Sequence, residues 1–388
     1  MKQRIIALID CDSFFVSCER VDNPDLQNKP VCVMTGGGNK GIIVSRSKEA
    51  KALGIKMGTP YFQLSKTHPQ TICIPTRHHR YAEISQNVMT VIKTFSPDVE
   101  EVSVDEAYID LTGLNKVHQI SYTELSRQIR QTILSKTGIP VSIGLSTSKT
   151  LAKLASDKAK SSGGIFVIRP DKINETIGNW IIDDICGIGG QSAKSLKFHG
   201  IFTISDFINK DNTWIKKVLG INGLNLKFEL SGLSTSPVDA NPKAPLSIQD
   251  TKSFEDFTDN LEFLHSELNR HAHNASQKMR RWNGFCSEIG VILRTKDFQI
   301  FTAYTKLHNP SNSDFVLKDT ASKLLNNIYN PKTLYRSVGI ELKKLSYNEH
   351  QQSLFENIKQ DDDKLSRVLD ELEQKFGKNI IKIGNLQQ

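Results

Sequence analysis

Three acidic residues offer the densest chemistry in this chain. Asp10 follows a run of five apolar residues, IIALI (5–9), and Asp105-Glu106 sits inside a β-rich stretch, VEEVSVDEAYIDLTG (99–113). Brought to one sheet edge, three carboxylates repel one another unless cations lie between them. Oxygen-only ligands select Mg2+ or Mn2+ over zinc. Two such ions can activate a hydroxyl and stabilise a leaving phosphate in an in-line displacement. Taken alone, the same acids also fit a helix cap and a solvated turn, where acidic residues are common.

The chemistry therefore depends on the elements that position these acids. The IIALI run reads as a central strand buried on both faces. Strand residues alternate sides, so Asp105 and Glu106 both point inward only if the backbone turns there. Val102, Val104, Tyr108, Ile109 and Leu111 flank them, which predicts two strands joined near the acidic pair. Further strands are predicted at 30–34, 41–45 and 140–146. Helices are predicted at 47–55 with a stop at Gly54, at 81–94, at 121–137, and in the lysine-rich SKTLAKLASDKAK (148–160). Residues 170–235 read as short helical pieces punctuated by glycine. Residues 236–246, polar with three prolines, read as a linker, and 247–345 as a second α+β unit. A polar tail follows, with a short helix predicted from Lys364 to Phe376. The fold class is α+β, multidomain.

Composition narrows the partners. The 388 residues carry a formal charge of +8. From Ser346 onward six basic side chains meet eight acidic ones, so the excess lies in the first 345 residues and suits a polyanion. No apolar run approaches the ~18 residues a membrane span needs, and the N-terminus lacks a signal-peptide cleavage pattern. The six cysteines form no C-x-x-C pair, which argues against zinc and fits a reducing, cytoplasmic setting.

At the acidic residues the chain resembles the Y-family translesion DNA polymerases. IDCDSFFVSCE (9–19), VSVDEAYIDLTG (102–113) and GLSTSKTLAKLASDKAK (144–160) resemble three long motifs of that family, in family order. The resemblance implies a right-hand architecture: palm at 1–10 and 80–168, fingers at 11–79, thumb at 169–235 and a C-terminal little finger at 247–345. It implies Asp10, Asp105 and Glu106 as metal ligands, joined by the backbone carbonyl of Cys11, with two Mg2+ ions and Mn2+ as a substitute. Phe14 and Phe15 match the pair under the incoming deoxynucleoside triphosphate, and Phe15 matches the steric gate against a ribose 2′-hydroxyl. Ser45, Lys51 and Lys160 match triphosphate contacts. Lys51 replaces a more usual Arg and loses its bidentate geometry. Lys149 and Lys153 follow a strand and open a helix, where an anion is favoured, and Lys48 and Lys149 fit phosphate binding and a solvated or structural role equally.

Other segments resemble the family's DNA-handling parts. ICGIGGQSAKSLKFHGIFTISDF (185–207) looks like a helix-hairpin-helix, with Gly187 and Gly189 letting backbone amides approach a phosphate. SIQDTKSF (247–254) and YRSVGIELKKL (335–345) resemble the ends of the little finger. Within it Lys278, Arg280, Arg281, Arg294, Lys296 and Arg336 are candidate phosphate contacts on primer-template DNA. QQSLF (351–355), in the tail spanning 346–388, resembles a bacterial sliding-clamp peptide, with Gln351 at the pocket rim and Leu354 and Phe355 inside. AKALGIKMGTP (50–60) resembles the UmuC-type branch, which implies a UmuD-like subunit and a recombinase filament as partners. The polymerase IV (DinB) branch, a non-catalytic DNA- or clamp-binding member, and a nucleotidyl cyclase are the alternatives.

Overall fold

The computed structural model describes residues 4–36, 38–347 and 360–376. The chain divides into two compact units, Met1–Pro242 and Lys243–Gln388. In chain order the strands of the first are β1 (Ile6–Cys11), β2 (Val31–Met34), β3 (Ile43–Arg46), β4 (Ile72–Pro75), β5 (Val99–Glu101), β6 (Glu106–Asp110), β7 (Val141–Ser146) and β8 (Ile165–Val167).

β1 is buried along its whole length at the centre of a five-stranded sheet, β5-β6-β1-β7-β8. Its alternation explains what each face meets. Ala7, Ile9 and Cys11 join a core with Tyr81, Ile84 and Val88 of the helix His78–Lys93 and with Leu125, Ile129 and Ile133 of the helix Tyr122–Thr137. Ile6 and Leu8 pack instead with Ala152 of the helix Lys149–Ala159. Asp10 has the parity of Ile6 and Leu8, and its hydrogen bonds to Lys153 within that helix and Lys160 at its C-cap put it on the same face.

The lysine-bearing helix sits unusually close to the sheet. It is the crossover between the parallel strands β7 and β8. A Cβ at Gly144 of β7 would overlap the backbone of Ala152, Ala155 and Ser156, so the missing side chain sets the helix–strand spacing. Ser148 caps the helix through Leu151 N, and its hydroxyl donates to the Glu229 carbonyl at 2.7 Å. The outer side of the same helix, through Leu151, Leu154 and Ala155, shares a core with Ile177, Ile185, Leu196, Phe207 and Leu230 of the helical region that follows β8. The small sheet β3-β2-β4 carries the helices Lys48–Ala52 and Tyr61–Thr67. Ser47 caps the first, and Gly54, with φ +77°, turns the chain after it.

The second unit has β9 (Ile248–Thr258), β10 (Phe285–Thr295), β11 (Ile300–Ser311) and β12 (Tyr335–Ser346) in the antiparallel order β11-β10-β12-β9. The helices Leu261–Arg280 and Asp314–Ile328 complete a β-α-β-β-α-β unit over a core that includes Leu268, Ile289, Leu325 and Ile340. A third helix, Gln360–Phe376, starts earlier than the predicted Lys364. Ionic and polar contacts join it to the helix Leu261–Arg280. Arg280 donates to both carboxylate oxygens of Asp370 (2.6 and 2.8 Å), and Glu373 bonds His273 (3.2 Å).

Candidate active site

Asp10 and Glu106 are direct partners across the antiparallel ladder of β1 and β6. Directly opposed residues share a face, so the helix Lys149–Ala159 covers both acids. Lys153 Nζ donates to Asp10 Oδ2 at 3.1 Å and also contacts Glu106 Oε1. Lys160 Nζ donates to Asp10 Oδ2 at 2.8 Å and to Asp157 at 3.0 Å. Lys149 turns away to Glu100 at 2.5 Å, a structural ion pair.

The predicted turn is present: β5 ends at Glu101 and β6 begins at Glu106. Cys11 N donates to the Asp105 carbonyl at 2.9 Å, tying the turn to the end of β1. The Asp105 carboxylate accepts from Ser103 Oγ at 2.6 Å. Among the described residues, no three His, Cys, Asp or Glu side chains already converge as a metal-ligand set. The structure thus brings Asp10 and Glu106 together side chain to side chain, and Asp105 beside them through its backbone.

Electrostatics separates the two acids. Burial pushes the Asp10 carboxyl up, but its hydrogen bond with Glu106 and the ammonium groups of Lys160 and Lys153 win, and it lies below the usual carboxylate range. Burial and the same hydrogen bond raise Glu106 against the pull of Lys153. The donor set is oxygen only, and two like charges meet in a half-buried pocket, which is the arrangement a hard divalent cation relieves.

Beside the acids lies a cluster of cations. Burial, reinforced by Arg46 and Lys160, pushes the Lys51 ammonium below its usual range. Its Nζ lies 3.3 Å from Ser13 Oγ. Ser45 is buried on β3 opposite Val33. Arg46 was missed by sequence reasoning. Arg46 Nε is buried without a hydrogen-bond partner among the described residues, while its Nη1 contacts the Ile55 carbonyl. Lys153, expected near an anion at the start of the helix that follows β7, lies one helical turn from Lys149 and two from Lys160 and meets the acids instead.

Phe14 is buried, and Phe15, half-buried, stacks on Tyr81 with ring centroids 4.6 Å apart. Burial pushes the thiols of Cys18, Cys32 and Cys286 up to about 12 and raises Cys11 well above its ordinary value, which disfavours their thiolates.

Comparison with known proteins fits this geometry. Residues 9–157 match the impB/mucB/samB family, and residues 245–354 match that family's C-terminal domain. The chain is 32% identical to DNA polymerase IV 1 of Halalkalibacterium halodurans, over 99% of this chain and 93% of that protein. It is 30% identical to protein UmuC of Salmonella typhimurium, over 97% of this chain and 92% of the other. Among solved structures, a Y-family DNA polymerase chimera, Dbh-Dpo4(243-245)-Dbh, superposes with a TM-score of 0.76 at 28% identity, covering 89% of this chain and all of that one. The chain belongs to the Y family of translesion DNA polymerases. It is a DNA-directed DNA polymerase. Relatives named DNA polymerase IV and relatives named UmuC or ImpB match to a similar degree.

For this Y-family polymerase, one expectation about the second unit is corrected. Arg280 is not a free phosphate contact. Its side chain is only 4% exposed, and its guanidinium is taken up by Asp314 (2.7 Å), the Asn312 carbonyl (2.7 Å) and Asp370. Lys278 pairs with Asp250 at 2.7 Å but stays half-exposed. Arg281 is exposed, Arg294 is half-buried, and Arg336 stacks over the Phe298 ring at 3.8 Å. Gly187, with φ +98°, and Gly189 precede the helix Gly190–Phe198, and a capping box at Thr203 and Asp206 opens the helix Ile204–Asn209. The clamp-like residues Gln351, Leu354 and Phe355 lie outside the described residues. Among the described residues no helix is long and apolar enough to cross a membrane.

Proposed function

We infer that this Y-family polymerase extends a primer with deoxynucleoside triphosphates at a metal centre held by Asp10, Asp105, Glu106 and the Cys11 carbonyl. The observation that carries this is the in-register pairing of Asp10 with Glu106 on the face covered by the lysine helix. Mg2+ bound there, with Mn2+ as a substitute, supplies charge to the attacking 3′-hydroxyl and the leaving pyrophosphate. Asp105 joins the set by giving up its bond to Ser103. Lys51 and Lys160, with Ser45, hold the triphosphate, and Arg46 adds to the field there. Phe14 and Phe15 lie under the sugar, where Phe15 excludes the 2′-hydroxyl.

Two solved relatives are described as an insertion ternary complex and a post-insertion binary complex of the Dbh DNA polymerase. That supports primer-template DNA and a nucleotide as ligands of this chain. The division into palm (1–10 and 80–168), fingers (11–79), thumb (169–235) and little finger (247–345) belongs to the same reading. Gly187 and Gly189 then meet duplex backbone, as do Lys278, Arg281, Arg294, Lys296 and Arg336. Primer extension with wild type beside Asp105→Ala tests the centre. Extension by the variant at the wild-type rate would sink it.

QQSLF (351–355) supports a sliding clamp as partner. Unchanged clamp binding after Leu354→Ala with Phe355→Ala would remove that partner. The motif AKALGIKMGTP (50–60) supports the UmuC branch. On that branch, extension by the chain alone is weak and rises with a UmuD-like subunit and a recombinase filament. Full activity without them favours the polymerase IV branch.

A further inference from the structure

We propose that Tyr81, Glu19 and Arg77 form a positioning set that holds the Phe15 ring in the orientation needed to discriminate the sugar of the incoming nucleotide. The proposal rests on the reading of Phe15 as the gate.

Phe15 and Glu19 are four residues apart on the helix Phe14–Asp22, so they are neighbours on one helical face. Tyr81, in the first turn of the helix His78–Lys93, reaches both. Its ring lies nearly parallel to Phe15 (4.6 Å, 17°), and its hydroxyl donates to Glu19 Oε1 at 2.7 Å. One residue therefore fixes the gate by its ring plane and by the side chain one turn further on. Tyr81 is 1% exposed and Glu19 5% exposed.

A carboxylate buried that deeply needs a fixed counter-charge. Arg77 provides it through two parallel bonds, Nε to Oε1 at 2.9 Å and Nη2 to Oε2 at 2.7 Å. Arg77 is in turn held by Asp22 at 2.8 Å, and Asp22 is gripped from its other side by Arg80. Bidentate geometry fixes direction as well as distance, so the chain Arg77–Glu19–Tyr81 sets where the Tyr81 ring lies. His78 meets both rings edge-on, at 6.1 Å to Phe15 and 6.2 Å to Tyr81.

Core packing alone does not call for this construction. An apolar side chain would fill the Tyr81 site without bringing a hydroxyl, a carboxylate and a guanidinium together. Telling a hydroxyl from a hydrogen on one sugar carbon requires a ring whose rotamer is locked by its neighbours.

The test is the ratio of kcat/KM for a deoxynucleotide to that for the matching ribonucleotide, measured in one enzyme so that loss of folded protein cancels. For Tyr81→Leu the ratio is expected to fall about three- to tenfold, mainly through faster ribonucleotide insertion. In Tyr81→Phe and Glu19→Gln the ring remains, and the expected fall is about two- to threefold. In a Phe15→Ala background, Tyr81→Leu should change the ratio no further. If Phe15→Ala itself leaves the ratio unchanged, the gate reading fails. If Phe15→Ala lowers the ratio while Tyr81→Leu, Tyr81→Phe and Glu19→Gln all leave it at the wild-type value, the gate stands and the positioning set is overturned.

Discussion

Asp10 and Glu106 face each other across one rung of the β1–β6 ladder, and Lys153 touches both. Two carboxylates and a lysine in one half-buried pocket form a coupled unit rather than three separate groups. Neutralising either acid should therefore change the pocket as a whole. We expect Glu106→Gln and Asp10→Asn to slow primer extension by about 10²-fold or more. Both should still melt cooperatively, because the lysines keep one acid partner. A loss of less than about tenfold in single-turnover extension would remove the acids from the reaction.

Gly144 sets how closely the lysine helix approaches the sheet. A methyl group there meets backbone of Ala152, Ala155 and Ser156, which cannot rotate away. We expect Gly144→Ala to cost about 1–3 kcal/mol in urea unfolding and to displace Lys153 and Lys160 from Asp10. Unchanged stability would show that the helix has room to shift.

Burial, Arg46 and Lys160 push the Lys51 ammonium below its usual range. An anion arriving there relieves that repulsion. Lys51→Ala is expected to raise KM for the nucleotide about tenfold with a smaller change in kcat. Lys51→Arg should keep or improve binding, since a guanidinium adds a bidentate grip. Steady-state insertion kinetics separate these outcomes, and a wild-type KM for Lys51→Ala would exclude the residue from the triphosphate site.

Arg280 is a structural cation in the second unit. Removing it takes the guanidinium from Asp370 and from Asp314. Asp314 is 1% exposed and keeps His273 and Lys318, and its carboxyl is held far below its usual range by His273 and Arg280 against the cost of burial. Arg280→Ala should destabilise this unit by about 3–5 kcal/mol. Arg281→Ala, at an exposed site, should leave stability unchanged and weaken DNA binding with a shallower salt dependence. Denaturant titration beside DNA-binding isotherms checks both, and equal stability of the two variants would contradict this assignment.

The docking of the helix Gln360–Phe376 should depend on pH. His273 bonds Asp314 and Glu373 with its two ring nitrogens, and it donates to both only when protonated. Its hydrogen bond to Asp314 raises it above the ordinary value near 6.5, against burial. A raised folded-state value means the contribution is complete below about pH 6.5 and is lost as pH rises through the folded value. Buried His271, on the same helix, is shifted downward and acts with the opposite sign, so global melting mixes the two. Hydrogen exchange of the amides in 360–376 reads the local effect. Protection should fall as pH rises above about 6.5, after correction for intrinsic exchange, and His273→Gln should flatten that dependence.

Much of the site was legible from periodicity. The apolar run before Asp10 predicted a buried strand, and the acidic pair between two apolar stretches predicted a turn. Both followed from local rules, the two-residue alternation of strands and the polar chemistry of turns. Arg280 shows where such reading stops. It lies in a basic run with Lys278 and Arg281, and composition assigns all three to one surface. Its partners Asp314 and Asp370 are 34 and 90 residues away, and only packing of three helices brings them to it.

By itself the amino-acid sequence determined the family, the buried strand that carries Asp10, the turn at Asp105 and the lysine-rich helix, because each is written in contiguous residues. Tertiary structure decided the register that sets Asp10 against Glu106, the close helix approach that Gly144 allows, and the turn of the Asp105 carboxylate onto Ser103. It also decided that Tyr81, sixty-odd residues away in the chain, lies against Phe15 and Glu19. Contacts of that kind depend on how separate elements pack, and no local spacing encodes the distance between two elements that meet only in the folded core.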